Sequence, residues 1–251
     1  MKKIVFLAPL LALAACEGSI ANAVGEAASD NGISTGSFSD GIAIGTKASN
    51  PGEFAGVTLA GPDNIIFTTG DAFSIRAEGD AEAIEQLRYK ISGDEIKIGR
   101  KNSGISWGDS GTAVIYVTAP ALKSAKLAGS GDMDVDAMTT ESTKLSIAGS
   151  GNIRVARIET ASLNSKIAGS GNLTLAGTAQ SIDISVAGSG DVSGKEMNAD
   201  SASISIAGSG DVELSSDGSV NAKVMGSGDV RIHGDATCKS RAMGSGDITC
   251  G

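Results

Sequence analysis

Seven carboxylate or amide side chains recur at nearly constant spacing in the second half of the chain, each directly after a Gly-Ser-Gly segment. They are Asp132, Asn152, Asn172, Asp191, Asp211, Asp229 and Asp247. Aligned carboxylates could bind a divalent cation, or each side chain could accept a hydrogen bond from a backbone N–H and fix a turn. Carboxylates about 4.8 Å apart repel by roughly 1 kcal/mol in water, so one of these two partners is expected. We favour the turn over the cation, and a catalytic role least.

The spacing of these residues defines an internal repeat. A hexapeptide of the form Ala/Met-Gly-Ser-Gly-Asp/Asn-apolar occurs seven times, with its first glycine at positions 129, 149, 169, 188, 208, 226 and 244. Steps of 18 to 20 residues are typical of one coil of a β-solenoid. Apolar residues alternate with polar ones on both sides of the corner, as in Ile204 and Ile206 and in Val212 and Leu214. This alternation predicts short strands with one buried face.

Residues 51–122 lack the repeat and predict a β-rich cap with one short helix. Strands are predicted at 54–59, 64–68, 73–77, 89–91, 95–98 and 113–117. Asp80 stands where it could N-cap a helix over 81–87. Trp107 lies in a polar loop, where it would fold over the solenoid end or, if exposed, anchor a partner. A cap is expected because an open solenoid end exposes apolar surface and unpaired strand edges.

Two of the three cysteines flank the last corner. Cys238 and Cys250 lie six residues before and six after Gly244. The equivalent positions of the preceding coil hold the apolar Val220 and Ile232, so both thiols should point into the last coil. They either pair as a disulfide, which an oxidising compartment permits, or remain two buried thiols, and we favour the disulfide.

The first residues predict export. Lys2 and Lys3 precede an apolar stretch over 4–13, which is too short to span a bilayer and has the form of a signal peptide. Leu13-Ala14-Ala15-Cys16 resembles the lipobox of bacterial lipoproteins, which implies removal of residues 1–15 and a lipid on Cys16. Glu17, instead of Asp, favours the outer membrane by the same resemblance. The alternative is an ordinary secretory signal that happens to contain a cysteine.

Composition limits the classes of partner. The net charge of −9 and the pI near 4.6 argue against nucleic acid. Aromatic residues make up 3% of the chain and leave few rings for stacking on bases or sugars. The Gly-, Ala- and Ser-rich residues 16–50 predict a lipidated cysteine followed by a flexible tether, and residues 51–251 the folded part, with cap and first coils over 51–122 and seven coils over 123–251.

The order of motifs in the folded part resembles the head GIN domain family. The resemblance rests on Phe54-x-x-Val57, Gly70-Asp71, a strand that ends in Thr118-Ala119-Pro120-Ala121-Leu122, and the repeated corners. Members are exported bacterial proteins that are described as auto-transporter adhesins. The resemblance covers residues 54–251 and implies a right-handed parallel β-helix, with no set of catalytic residues.

These observations favour a non-enzymatic, lipid-anchored protein of the cell envelope that binds, adheres or scaffolds. Its predicted partners are a membrane, through the lipid, and a protein or glycan. No cofactor, metal or catalytic residue is predicted. The alternatives are a polysaccharide-active β-helix enzyme and a calcium-stabilised surface component. The off-pattern charges that an enzyme would need are few: Arg154, Arg157, Lys195 and Glu196.

Overall fold

The computed structural model describes residues 37–101 and 111–251. The predicted signal peptide, Cys16 and Trp107 lie outside the described residues. The cap contains β1 (Ile42–Ala43), β2 (Gly56–Gly61), β3 (Asn64–Thr69), β4 (Ser74–Gly79), α1 (Ala81–Gln86), β5 (Leu87–Ser92), β6 (Glu95–Arg100) and β7 (Ala113–Ala119). The coils contain β8 (Ser124–Gly129), β9 (Met133–Val135), β10 (Met138–Thr139), β11 (Ser142–Gly149), β12 (Ile153–Gly169), β13 (Leu173–Gly188), β14 (Val192–Gly208), β15 (Val212–Gly226), β16 (Val230–His233), β17 (Thr237–Gly244) and β18 (Ile248–Cys250).

The strands wind into a parallel β-solenoid, as the repeat predicts. Each turn pairs in parallel with the next, and the corner glycines are register partners from Gly129 to Gly244. The seven corners therefore bound six full turns, which at about 4.8 Å per turn form a stack roughly 30 Å long. The predicted all-β fold, with a β-rich cap and one short helix, is confirmed.

The core is a set of apolar columns that run along the stack. Ile147, Ile167, Val186, Ile206 and Val224 are successive register partners, and each is at most 2% exposed. Burial of each such side chain contributes about 1.5–3 kcal/mol. Since every turn covers the column of the turn before it, the stabilisation depends on the turns remaining in register.

The corner glycines are required by the contact between turns. The first glycine of each of the seven corners has φ between 128° and 144°, a region that L side chains rarely adopt. A Cβ on Gly188 would overlap the carbonyl oxygen of Gly169, and one on Gly190 would overlap that of Gly171. Both glycine columns therefore exist because the backbones of successive turns touch at the corner.

The structure adds one corner that the sequence analysis did not recognise. Gly61, with φ 145°, is the register partner of Gly129, and a Cβ on Gly131 would overlap the carbonyl oxygen of Asp63. The segment Ala60-Gly61-Pro62-Asp63-Asn64-Ile65 is thus a degenerate copy of the repeat. Proline and aspartate occupy the serine and second-glycine positions, so the connection between the strands predicted at 54–59 and 64–68 is the first corner of the solenoid.

A buried ion pair joins this first corner to the cap. The side chains of Arg100 and Asp63 are 3% and 1% exposed, and two nitrogens of Arg100 donate to the two carboxylate oxygens at 2.8 and 2.7 Å. Asp63 also accepts from the Ala113 N–H at 3.0 Å, and Arg100 donates to the Gly111 carbonyl. Hydrogen bonding to Asp63 raises the pKa of the Arg100 guanidinium above its usual value. The pair therefore fastens β3, β6 and β7 at one point.

The part of the predicted tether that the structure describes is packed against the cap. Phe38 and Ile44 are buried, and β1 pairs antiparallel with β5. The predicted end of the tether at residue 50 is therefore wrong: the folded part already includes Phe38 and Ile44, because these two apolar side chains are buried against the cap. One of them, Phe38, lies where Gly99 leaves space for its ring.

The predicted role of Asp80 is also corrected. Asp80 holds the N-cap position of α1, but its side chain makes no capping hydrogen bond. Its carboxylate accepts instead from the backbone N–H of Thr112 at 2.8 Å, which ties the start of the helix to the start of β7.

The last turn ends differently from the cap. Cys238 and Cys250 form a disulfide between β17 and β18, and both pack against the core. The inward positions between them hold Ser240 and Ala242, register partners of the buried Ala222 and Val224. Small residues, one of them polar, therefore stand at the inward positions of the last turn. The disulfide packs against the core at this end of the stack.

Replacement of Gly188 by Ala should lower the free energy of unfolding by at least about 2 kcal/mol, because the added Cβ meets both a strained φ and the Gly169 carbonyl. Gly45→Ala is the matched control, since no atom lies within 4 Å of its added Cβ, and it should change stability by less than about 0.5 kcal/mol. Urea denaturation of both variants measures this. Equal effects would contradict the account of the corner.

Asp63→Ala should cost about 3–5 kcal/mol, because it leaves the Arg100 charge buried without its partner. The double variant Asp63→Ala/Arg100→Ala should cost less than the sum of the single variants. Lys101→Ala, which removes the exposed pair with Glu85, should cost no more than about 1 kcal/mol. Thermal and urea denaturation test this order, and additive single effects would refute the coupling.

Candidate functional site

The column of acidic and amide side chains forms a hydrogen-bonded ladder along one corner. The Oδ1 of Asp191 accepts the backbone N–H of Asp211 at 2.8 Å, that of Asp211 accepts from Asp229 at 2.7 Å, and that of Asp229 accepts from Asp247 at 2.8 Å. Asn64 begins the ladder by accepting the N–H of Asp132. Each side chain thus fixes the corner of the following turn.

The two asparagines extend the ladder without adding charge. The Nδ2 of Asn152 donates to Asp132 at 2.8 Å, and that of Asn172 donates to Asn152 at 3.0 Å. Of the two partners considered for the carboxylates, the structure supplies backbone N–H groups. Within the described ranges, no three His, Cys, Asp or Glu side chains are arranged to hold a metal ion.

The off-pattern charges do not converge on one point. Arg154 lies 3.7 Å from Asp134, and Arg157 lies 3.6 Å from Glu159, all exposed. Lys195 and Glu196 fall where the strand register shifts between residues 194 and 198. Arg157 also falls in a register shift, between Val155 and Ile158.

The single histidine belongs to a surface pair. His233 Nε2 lies 2.6 Å from Glu213 Oε1, and this hydrogen bond lowers the pKa of the Glu213 carboxyl. Both side chains remain about one third exposed, beside a shallow groove that includes Asp211 and Arg231.

Two grooves run along the outside of the stack, and sequence reasoning missed both. One, of about 570 Å³, follows the edge lined by Thr160, Thr178, Gln180, Asn198, Asp200 and Asp217. The other, of about 520 Å³, we call the serine groove. It is lined by two parallel polar columns and by an apolar column between them. The polar columns are Ser162, Ser181, Ser201, Ser219 and Thr237, and Asp183, Ser203, Asn221 and Lys239, and the apolar column is Ile182, Ala202 and Val220.

The serine groove has the chemistry of a binding surface. Ser181 and Ser201 donate their hydroxyl hydrogens to the backbone carbonyls of Ala161 and Gln180, each at 3.1 Å, so toward a ligand they act as hydrogen-bond acceptors. The amide of Asn221 can both donate and accept. The hydroxyl groups recur at the spacing of adjacent strands, about 4.8 Å, so one recognition pattern is repeated along the stack. The signal for this groove was present in the sequence, since serine or threonine holds the same position in six successive coils, from Ser142 to Thr237.

The fold defines the chain as a parallel β-solenoid protein. Over residues 53–236 the chain matches the family described as "Putative auto-transporter adhesin, head GIN domain". The chain belongs to this family, as the order of its motifs predicted. No curated protein matches it.

Solved structures show the same fold. A putative adhesin from Bacteroides fragilis superposes with a TM-score of 0.73 at 21% identity, over 81% of this chain and 95% of that one. A putative lipid binding protein from Parabacteroides distasonis gives 0.64 at 22% identity, over 81% and 95%. A putative adhesin from Parabacteroides merdae gives 0.61 at 18% identity, over 83% and 96%.

Two substitutions at Asp211 distinguish backbone N–H groups from a divalent cation as the partner of the carboxylates. Asp211→Asn keeps the oxygen that accepts the Asp229 N–H and removes a charge, so stability should be unchanged or raised by up to about 1 kcal/mol. Asp211→Ala removes the acceptor and should cost about 0.5–1.5 kcal/mol. Chemical denaturation measures both. A melting temperature that rises with calcium in the native chain but not in Asp211→Asn would instead support a cation.

Proposed function

We propose that the protein is a lipid-anchored, non-enzymatic binding protein of the cell envelope, whose solenoid presents a repeated polar surface to a ligand. The observation that carries the proposal is the serine groove, in which the same hydroxyl-bearing positions recur over five turns. A surface of this kind suits a ligand that is itself extended and repetitive.

The proposed location rests on the lipobox at Leu13–Cys16 and on the adhesin-like family. Lipoprotein maturation attaches several acyl chains to one cysteine, and several chains hold a protein on a membrane far better than one. Residues 37–101 and 111–251 contain no helix with the length and hydropathy needed to cross a membrane. The proposed attachment is the lipid on Cys16, in the outer membrane, with the protein facing the periplasm or the cell surface.

The enzyme alternative is tested separately from binding. A β-helix hydrolase would show turnover in a screen of polysaccharide substrates, and β-helix architecture by itself does not imply that chemistry. Turnover that persists through purification would replace the binding proposal with the alternative.

Cys16→Ala should move the protein from the detergent phase to the aqueous phase in a phase-partition experiment, because it removes the acylated thiol. The circular dichroism of the purified variant should still show a β-rich fold. The matched control is Cys238→Ala/Cys250→Ala, which alters the other two cysteines and should stay in the detergent phase. An unchanged partition of Cys16→Ala would refute the anchor.

A further inference from the structure

Positive charge gathers on one face of this acidic protein. The face consists of the outward positions of the strands that precede each corner, from β6 and β2 through β8 to β17, and we call it the basic face. It carries seven of the 20 lysines and arginines but two of the 29 acidic residues, a net charge of +5 (7 − 2) on a chain of −9. The seven are Lys97, Lys126, Lys144, Lys166, Lys223, Lys239 and Arg241.

Some cations of the basic face are paired with an acidic side chain and others are not. At the cap end, Lys126 lies 3.2 Å from Glu95, and both side chains are largely covered. In the last two turns, Lys223, Lys239 and Arg241 are exposed, and none has an acidic group within 4 Å in the part of the chain that the structure describes. We call these three residues the basic patch.

The strand register brings the like charges of the basic patch close together, although they repel one another. Lys223 and Arg241 are register partners on adjacent strands, a placement in which like charges destabilise the sheet. Lys239 lies two residues before Arg241 in β17, so both are on the same outward side of that strand. An anionic ligand bound across the patch would relieve this repulsion.

The basic patch continues into the serine groove, because Lys239 belongs to both. Going away from Lys239, the groove offers Asn221 and Ser203, beside the serine column that ends at Thr237. The one carboxylate of the groove, Asp183, lies three turns from Lys239, so the acidic groups of a ligand would lie at the Lys239 end. Hydroxyls and amides complement the hydroxyl groups of a sugar, and ammonium and guanidinium groups complement a carboxylate or sulfate. One chemical class, a carbohydrate chain that carries acidic groups, satisfies both parts of the surface.

We propose that the serine groove and the basic patch together bind an acidic polysaccharide that runs along the stack. The inference rests on the proposed binding function and specifies its ligand class. An anionic membrane is the competing polyanion, and Met225 and Met243, exposed beside the patch, would suit it. A flat bilayer surface would nevertheless leave the groove unfilled, so the concave shape favours a chain.

The test measures binding of the full chain carrying Cys16→Ala, so that the lipid does not contribute. Polygalacturonate and heparin are the acidic probes, and fully methyl-esterified polygalacturonate is the uncharged probe with the same backbone. We expect binding to at least one acidic probe, at least about tenfold weaker binding to the esterified chain, and loss of affinity as salt is raised.

Two sets of variants locate the site. Lys223→Gln/Lys239→Gln/Arg241→Gln should weaken binding by at least about tenfold. Arg154→Gln/Arg157→Gln/Lys195→Gln, which makes the same change of net charge on exposed positions elsewhere, should leave it within about twofold. Ser203→Glu adds a charge inside the groove and should also weaken binding. Circular dichroism checks that each variant is folded.

Each other outcome overturns the inference in a distinguishable way. Equal losses in the two triple variants would show unspecific charge attraction. Equal binding to the esterified chain would leave the proposed binding function intact but remove the acidic ligand. Tighter binding to phosphatidylglycerol vesicles, unaffected by Ser203→Glu, would assign the patch to a membrane. No binding to either acidic probe would refute the ligand class, while the partition of the lipidated chain would still report on the anchor.

Discussion

The structure depends on how closely the backbones of successive turns approach at one corner. The carbonyl oxygen of Gly169 occupies the space that a side chain at Gly188 would need, and the same contact recurs from Gly61 to Gly244. It brings the Ser189 N–H within 2.9 Å of that carbonyl, and it aligns Asp191 with the N–H of Asp211. Because the corner sets the register, it also sets which side chains form columns inside and outside the solenoid.

This register determines the distribution of charge. Carboxylates occupy the corner, where backbone N–H groups donate hydrogen bonds to them, as at Asp211 and Asp229. Cations cannot take that place, since a corner side chain must accept a hydrogen bond, and they stand instead on the flat strands beside it. The acidic protein therefore has a basic face whose cations are nowhere adjacent in the sequence. Lys223 and Arg241, which are register partners on adjacent strands, are separated by one whole coil in the sequence.

The parts of the fold that were predictable follow from short-range patterns. Alternation of apolar residues and recurrence of glycine predicted the coils, because both signals repeat within 20 residues. The first corner was missed because Pro62 and Asp63 replace the residues that mark the others. The pair of Asp63 with Arg100, the packing of Phe38 on Gly99 and the basic face all depend on contacts across turns. Only the register, once known, brings such residues together.

The two ends of the stack differ, and the difference bears on how a tethered protein would meet its ligand. The described chain enters at the cap, where Phe38 covers Gly99 and the Asp63–Arg100 pair closes the first corner. The basic patch lies on the last two turns, at the opposite end, beside the disulfide of Cys238 and Cys250. A lipid on Cys16 would attach the protein through the cap end. The exposed cations, and the end of the serine groove that Lys239 lines, would then lie at the end of the stack farther from the attachment. A long polysaccharide could reach them there without contacting the membrane.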